Sequence, residues 1–249
     1  MSESNTQNDA TIVAIDGPAG VGKSTVAQQL AKRLRLPMID TGAMYRTVAL
    51  KALLTDTDPD DGEAVSKIAE SIELELRADP EGGVEVYLDG EAVGQRIRTP
   101  EVSEAASRVS VHSGVRRCMV ELQRRAALRS GGVLEGRDIG TVVFPETPFK
   151  FFLTARAQVR AERRHRDLVA AGRGTSVDDV LKEILQRDRR DSERSDSPLR
   201  LDESYFEIDS SDLKPPEIVE RMVGTIRRRQ QELADPAESD DPDRDLSEE

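Results

Sequence analysis

The apolar positions in the first 54 residues form short runs that alternate with amphipathic stretches. The β-branched run at 11–15 ends at Asp16 and a glycine-rich turn, which predicts a buried strand followed by a helix over 23–34. A short second strand is expected over 38–40, and a helix over 41–54. The chain therefore opens with a β-loop-α-β-α pattern.

A different pattern follows a helix predicted at 63–71. Apolar residues alternate with charged ones over 72–77 and again over 84–88, and residues 79–83 are of the types that form turns. The alternation predicts an antiparallel hairpin with one exposed face, because central parallel strands are apolar on both faces. We therefore expect a small antiparallel sheet separate from the main sheet.

The second half of the chain returns to buried strands and amphipathic helices. The loop at 136–148 joins two of these strands, and ligands of open α/β sheets bind at strand ends. Further helices are predicted at 99–110, 113–129, 157–171, 176–196 and from Pro215, with strands at 133–135, 149–154 and 205–209. This order predicts an α/β fold in which helical layers cover a parallel central sheet.

The glycine-rich turn after the first strand carries the most specific motif. It reads Gly-Pro-Ala-Gly-Val-Gly-Lys-Ser and matches G-x-x-x-x-G-K-[ST] between a predicted strand and a predicted helix. In such a phosphate loop (P-loop), inward-turned backbone N–H groups enclose a polyphosphate, Lys23 reaches the terminal phosphates and the Ser24 hydroxyl ligates Mg²⁺. The expected ATP-binding residues are Gly17, Pro18, Ala19, Gly20, Val21, Gly22, Lys23, Ser24 and Thr25.

Arginines beyond this loop favour phosphoryl transfer over other uses of a nucleotide. The guanine-reading Asn-Lys-x-Asp motif of GTPases is absent from the sequence, and arginine binds phosphate oxygens bidentately. One group lies three or four residues apart on a single predicted helix, which predicts a lid at about 155–175: Arg156, Arg160, Arg163 and Arg164. A solvated basic helix face is the open alternative for that group.

A second group of charged residues shares one face of the next predicted helix. Arg187, Asp191 and Arg194 are spaced for contact with a common ligand, and a structural ladder of ion pairs remains the alternative. His112 and His165 lack a nucleophile motif nearby, so structural roles are expected for both.

Composition limits the partners and the location. The net charge of −12 argues against general nucleic-acid binding, and nine acidic residues and one arginine from Gln231 onward account for −8 of it. We expect disordered tails at 1–10 and 231–249 around a kinase domain at 11–230. A single cysteine, no membrane-spanning apolar stretch and a polar opening predict a soluble cytoplasmic protein.

Several segments together resemble bacterial cytidylate kinases in content and order over about residues 11–228. They are Ile-Asp-Gly-Pro at 15–18, Asp-Thr-Gly-Ala-Met-Tyr-Arg at 40–46, Ile-Arg-Thr at 97–99, Gly-Arg-Asp-Ile-Gly-Thr-Val-Val-Phe-Pro at 136–145 and Arg-Asp-x-Arg-Asp at 187–191. The resemblance implies transfer of the γ-phosphoryl group of ATP to CMP or dCMP with Mg²⁺. It also implies a P-loop fold with a mobile lid and, at about 41–112, an acceptor-binding region that contains the antiparallel insert.

The resemblance also implies roles for individual residues. Those expected to act in catalysis are Lys23, Arg137, Arg160 and Arg164. Those expected at the acceptor are Thr41, Tyr45, Arg46 and Arg194 near the nucleotide, Arg137 at its phosphate, Ser107, Arg116 and Asp138 at cytosine, and Arg187 and Asp191 at the sugar. Glu135 stands where aspartate is usual and Thr41 where serine is common, so the site geometry is expected to differ slightly.

Two other functions stay open on sequence grounds. The P-loop also suits a kinase of another nucleoside monophosphate, of shikimate or of gluconate. The arginine-rich stretch at 156–173 would suit an NTP-regulated RNA-binding protein, although the acidic balance argues against it. We expect a monomer that binds ATP and CMP or dCMP, and neither nucleic acid nor membrane.

Overall fold

The structure, a computed structural model, describes residues 11–78 and 84–234. The predicted turn at 79–83, the expected tail at 1–10 and most of the tail expected at 231–249 lie outside the described residues.

A five-stranded parallel sheet forms the centre of the fold. Its strands are β1 (Ile12–Asp16), β2 (Met38–Asp40), β6 (Gly132–Glu135), β7 (Phe149–Thr154) and β8 (Phe206–Asp209), in the order β2-β6-β1-β7-β8. Val13 of β1 lies opposite Val133 of β6 on one side and Phe149 of β7 on the other. The inner strands β6, β1 and β7 are almost entirely buried because helices cover both faces of the sheet, as the sequence predicted.

Eight α-helices accompany the strands in the described ranges. They are α1 (Lys23–Leu34), α2 (Thr41–Leu54), α3 (Gly62–Ser71), α4 (Pro100–Val109), α5 (Ser113–Leu128), α6 (Ala157–Ala170), α7 (Val177–Glu193) and α8 (Pro215–Ala234). Helix α8 extends past the expected boundary at residue 230, which corrects the predicted start of the C-terminal tail. No helix of the described ranges is long and apolar enough to cross a membrane.

Two hydrophobic clusters cover the faces of the central sheet. Val13 and Phe151 pack on one face with residues of α1 and α8, while Ala14 and Leu134 pack on the other face with Ala127 of α5. The expected three-layer α/β arrangement is confirmed.

The predicted antiparallel hairpin is also confirmed. Strands β3 (Leu74–Ala78) and β4 (Val84–Leu88) pair with Leu76 opposite Val86, and a short β5 (Glu91–Ala92) adds a third strand. The sequence did not predict β5, because two residues are too few to show an alternating pattern. The hairpin packs with α2 to α5 in a separate hydrophobic cluster, within the stretch expected to bind the acceptor.

Candidate active site

The P-loop depends on glycine where the chain leaves β1. Gly17 has a φ of 145°, and a Cβ added there would lie 2.2 Å from the carbonyl oxygen of Leu153. Gly22, with a φ of 94°, occupies the position before the first residue of α1. A side chain is therefore strained at both positions, and the loop keeps its backbone close to the sheet and to the helix N-terminus.

Lys23 folds back into the P-loop. Its Nζ donates hydrogen bonds to the carbonyl oxygens of Gly17 and Pro18, each at 2.7 Å. Burial lowers the pKa of Lys23 well below its usual range, and the positive charges of Arg137 and Arg187 lower it further. Lys23 therefore lies between the P-loop and the cationic groups of a neighbouring site.

A buried ion pair supports the outer side of the P-loop. Arg160 of α6 pairs with Asp188 of α7 at 2.5 Å, and both contact Ala19: Asp188 accepts from the backbone N–H at 3.2 Å, and Arg160 donates to the carbonyl oxygen at 2.9 Å. Arg160 is not among the residues that line the cavity beside the loop. The structure thus places Arg160 behind the P-loop, whereas the sequence had predicted that its side chain faces the phosphates.

The expected arginine face of the lid is divided in the structure. Arg156 pairs with Asp212 on the surface, and Arg163 donates to the carbonyl oxygens of Ser210 and Ser211. Only Arg163 and Arg164 of the four predicted lid arginines line the cavity. The four side chains diverge because Arg156 precedes the helix and Arg160 turns toward the P-loop.

A cavity of about 940 Å³ extends from the P-loop to α4, α5 and α7. Seven of the nine expected ATP-binding residues line it, namely Ala19, Gly20, Val21, Gly22, Lys23, Ser24 and Thr25. All ten residues expected at the acceptor also line it: Thr41, Tyr45, Arg46, Ser107, Arg116, Arg137, Asp138, Arg187, Asp191 and Arg194. The fold therefore brings both predicted sets into one cavity.

Asp40, at the end of β2, organises one wall of this cavity. Its carboxylate accepts from the backbone N–H of Ala43 at 2.9 Å, which caps α2, and from the guanidinium groups of Arg46 at 2.9 Å and Arg98 at 3.0 Å. Burial alone raises the pKa of Asp40, but the two arginines outweigh it and hold the pKa below its usual value. Sequence reasoning assigned no role to Asp40 or Arg98, although both lie within motifs of the family resemblance.

Thr41 keeps the hydroxyl group that serine would supply. Its Oγ1 donates to the carbonyl oxygen of Glu135 at 2.6 Å, and the side chain is buried. The departure from the usual serine therefore leaves the link between α2 and β6 intact.

A cationic cluster lies beside the P-loop. Arg137 donates to Asp191 of α7 at 2.8 Å, and burial next to Arg137 lowers the pKa of Arg187 to about 10. Burial raises the pKa of Asp191, but the charges of Arg137 and Arg187 outweigh burial and hold the pKa below its usual value, so the carboxyl group stays ionised. Asp191 thus forms its ion pair with the loop after β6. The alternative of an ion-pair ladder along its own helix is not observed in the described ranges.

The far wall of the cavity contains a second buried ion pair. Arg116 of α5 and Asp138 are hydrogen-bonded to each other, and Arg194 approaches Asp138 at 3.6 Å. Within the described ranges, Ser107 Oγ and Tyr45 OH are buried without a hydrogen-bond partner. Buried polar groups are nearly always bonded in folded proteins, so unpaired ones beside a cavity are typical of a site for a polar ligand.

These features define the class of the protein. A P-loop at the end of the central strand opens into a cavity lined by arginines from several elements, with residues of α6 and α7 in its wall. The fold and the site are those of a P-loop kinase.

The comparisons with known proteins identify the family. The family model for cytidylate kinase matches residues 13–228. Cytidylate kinases from Syntrophotalea carbinolica and Caldanaerobacter subterraneus are each 45% identical to the chain, over 92% and 87% of its length and 97% and 94% of theirs. The chain belongs to the cytidylate kinase family, which confirms the resemblance.

A solved structure agrees on the fold alone. An uncharacterised protein from Eubacterium ventriosum aligns with a TM-score of 0.50 at 14% identity, over 88% of this chain and 99% of that one.

Proposed function

We propose that this protein transfers the γ-phosphoryl group of ATP to CMP or dCMP. The observation that carries the proposal is a single cavity that joins the P-loop to the buried pair of Arg116 and Asp138. Cytosine offers an amino donor at N4 and acceptors at N3 and O2, so a carboxylate and a guanidinium read it together. Family membership supports the same acceptor, and it does not support shikimate, gluconate or RNA as the ligand.

Phosphoryl transfer here needs no strong base. The phosphate oxygen of a nucleoside monophosphate is ionised near neutral pH, so positioning and charge stabilisation suffice. Lys23, Arg137 and Arg164 line the cavity where charge develops during transfer. His112 and His165 bond to the carbonyl oxygens of Pro59 and Thr175, which agrees with their expected structural roles.

The residues at the start of α1 fit Mg²⁺ bound together with ATP. Ser24 lies at the mouth of the P-loop, and the nearby Glu135 has a buried Oε1 without a partner in the described part of the chain. Burial and the charge of Asp40 raise the pKa of Glu135, an effect that a cation would reverse. Mg²⁺ suits such a site because it is held by one or two protein oxygens, phosphates and water.

Acceptor screening tests the proposal directly. The full chain with ATP and Mg²⁺ is assayed for ADP production with CMP, dCMP, UMP, AMP, shikimate and gluconate, and a reaction without acceptor serves as the control. We expect the highest kcat/KM with CMP or dCMP. Preferred turnover of another acceptor would replace the proposal, whereas salt-sensitive RNA binding without turnover would favour an RNA-binding protein.

A monomeric state, a cytoplasmic location and the absence of nucleic-acid binding remain part of the proposal. Light scattering after size-exclusion chromatography tests the first, with a monomer expected at 27.5 kDa.

A further inference from the structure

We propose that Asp16 is a positioning residue that ties the acceptor loop (residues 136–143) to the end of β1, and thereby sets the use of CMP without touching a substrate. The inference rests on the proposed function. The acceptor loop contains Arg137 and Asp138, while Asp16 directly precedes the P-loop. Asp16 would therefore link the two halves of the active site.

The carboxylate of Asp16 collects three donors from two other parts of the chain. It accepts from the backbone N–H of Ile139 at 3.0 Å and of Gly140 at 2.8 Å, and from the hydroxyl of Tyr205 at 2.8 Å. Asp16 is completely buried. Because Ile139 follows Asp138 in the chain, these bonds fix the backbone next to the carboxylate expected to read cytosine.

The far end of the acceptor loop is fixed as well. Arg124 of α5 donates to the carbonyl oxygens of Val143 at 2.8 Å and Val142 at 2.7 Å. At Gly140 the packing is tight, since a Cβ added there would lie 2.7 Å from the Tyr205 hydroxyl oxygen. The loop thus has two anchors, and the anchor adjacent to Asp138 is Asp16.

The ionised form of Asp16 destabilises the fold. Within the described ranges no salt bridge reaches it, and its charged neighbours include Lys23 and Asp138. Burial raises its pKa to about 6, and the nearby charge of Asp138 contributes to the rise. A buried, unpaired carboxylate destabilises a protein, and such costs are typical of positions that serve activity.

The anchor acts on the acceptor side more than on the ATP side. The hydrogen bonds that the Asp16 carboxylate accepts come from the acceptor loop and from Tyr205, and none comes from residues 17–25. The P-loop has its own supports in Lys23, Arg160 and Asp188. Loss of the anchor is therefore expected to change CMP binding and base selection while ATP binding stays close to wild type.

The substitution Asp16→Asn tests this asymmetry. Asparagine has the same shape, but its NH₂ group would face a backbone N–H or compete with Tyr205. We expect the KM for CMP to rise about tenfold and the preference for CMP over UMP to fall about as much, with the KM for ATP changed less than about threefold. Tyr205→Phe removes one of the three bonds and should give a smaller change in the same direction.

Controls separate positioning from general damage. Glu146→Gln alters an exposed residue shortly after the acceptor loop and should leave all constants unchanged. Circular dichroism and thermal unfolding check that each variant folds, and calorimetry with CMP and with ATP reads binding independently of turnover. Equal losses of CMP binding and ATP binding would overturn the inference. So would an unchanged preference for CMP over UMP in either variant.

The outcomes for the two proposals are distinct. Wild-type protein that does not use CMP contradicts the proposed function, whatever the variants do. If Asp16→Asn does not fold, Tyr205→Phe decides, and wild-type CMP binding in that variant counts against the anchor.

Discussion

The ATP side and the acceptor side of the cavity are built in different ways. The ATP side is one continuous segment, residues 17–25, whose backbone conformation is imposed by glycine and by the start of α1. The acceptor side consists of charged and polar side chains from α2, α4, α5, the acceptor loop and α7. The first site follows from local chain geometry, whereas the second exists only when distant elements are packed together.

The difference extends to the energetics of the two sides. Backbone N–H groups carry no net charge, so on the ATP side the charge that contacts phosphate comes mainly from one side chain, Lys23. The acceptor side contains buried ion pairs, Arg116 with Asp138 and Arg137 with Asp191. Removing one member of such a pair leaves a buried charge, at about 3 to 5 kcal/mol. Substitutions there should therefore affect folding and activity together.

Lys23→Ala is expected to give the largest effect and to break the ATP side alone. Loss of the cation should reduce turnover roughly 10²- to 10⁴-fold, the range for removing a group that stabilises transition-state charge. The measurement is kcat with CMP under saturating ATP. Lys32→Ala, on the exposed part of α1, is the matched control and should behave as wild type. Near-normal turnover of Lys23→Ala would contradict the P-loop assignment.

Asp138→Asn should break base selection on the acceptor side. The carboxylate only accepts hydrogen bonds, so it favours the amino group of cytosine and repels the carbonyl group of uracil, whereas an amide can donate to uracil. We expect the ratio of kcat/KM for CMP to that for UMP to fall about tenfold or more. The same fractional loss for both nucleotides would assign Asp138 to structure or phosphate geometry.

Asp138→Ala should additionally lower stability. Both variants leave the buried Arg116 without an anionic partner, but asparagine can still accept its hydrogen bond and alanine cannot, so Asp138→Ala should unfold at a lower temperature than Asp138→Asn. Glu146→Ala is an exposed control shortly after the acceptor loop. Melting temperatures of both Asp138 variants equal to that of wild type would show that the pair contributes little to the fold.

The pH dependence of stability tests the state of Asp16, which lies between the ATP side and the acceptor side. Its pKa is about 6 in the folded protein, against an ordinary 3.8, so the folded state binds the proton more tightly. The stabilisation from this group is complete below the ordinary pKa and is lost as the pH rises through about 6. We measure the free energy of unfolding in urea for wild type and for Asp16→Asn. The value for wild type, relative to that for the variant, should be about 1 kcal/mol larger at about pH 5 than at about pH 7. A difference independent of pH would contradict the assigned pKa.

Removal of residues 235–249 should have the smallest effect. The segment contains eight acidic residues and one arginine and few apolar side chains, so it has little to pack against either side of the cavity. Ending the chain at Ala234 keeps the whole of α8. We expect turnover within about twofold of wild type and stability within about 0.5 kcal/mol. A large loss of either would indicate that the acidic segment contacts the folded domain.

The sequence by itself determined the element order, the P-loop and the separate hairpin. Each of these is local, because hydrophobic period, glycine and turn residues act within a few positions of the chain. It missed β5 and placed the domain boundary at residue 230, four residues before the end of α8, since neither a two-residue strand nor the last residue of a helix has a strong local signal.

Only the tertiary structure decided how the charged side chains are paired. Arg160 looked like a phosphate-binding residue on its helix, but packing turned it toward Asp188 and Ala19. Asp16 had no visible partner in the sequence, yet the sheet and the acceptor loop bring it donors 123 to 189 residues away. Local sequence sets which groups a helix or loop presents, whereas burial and the positions of distant elements decide which of those charges meet.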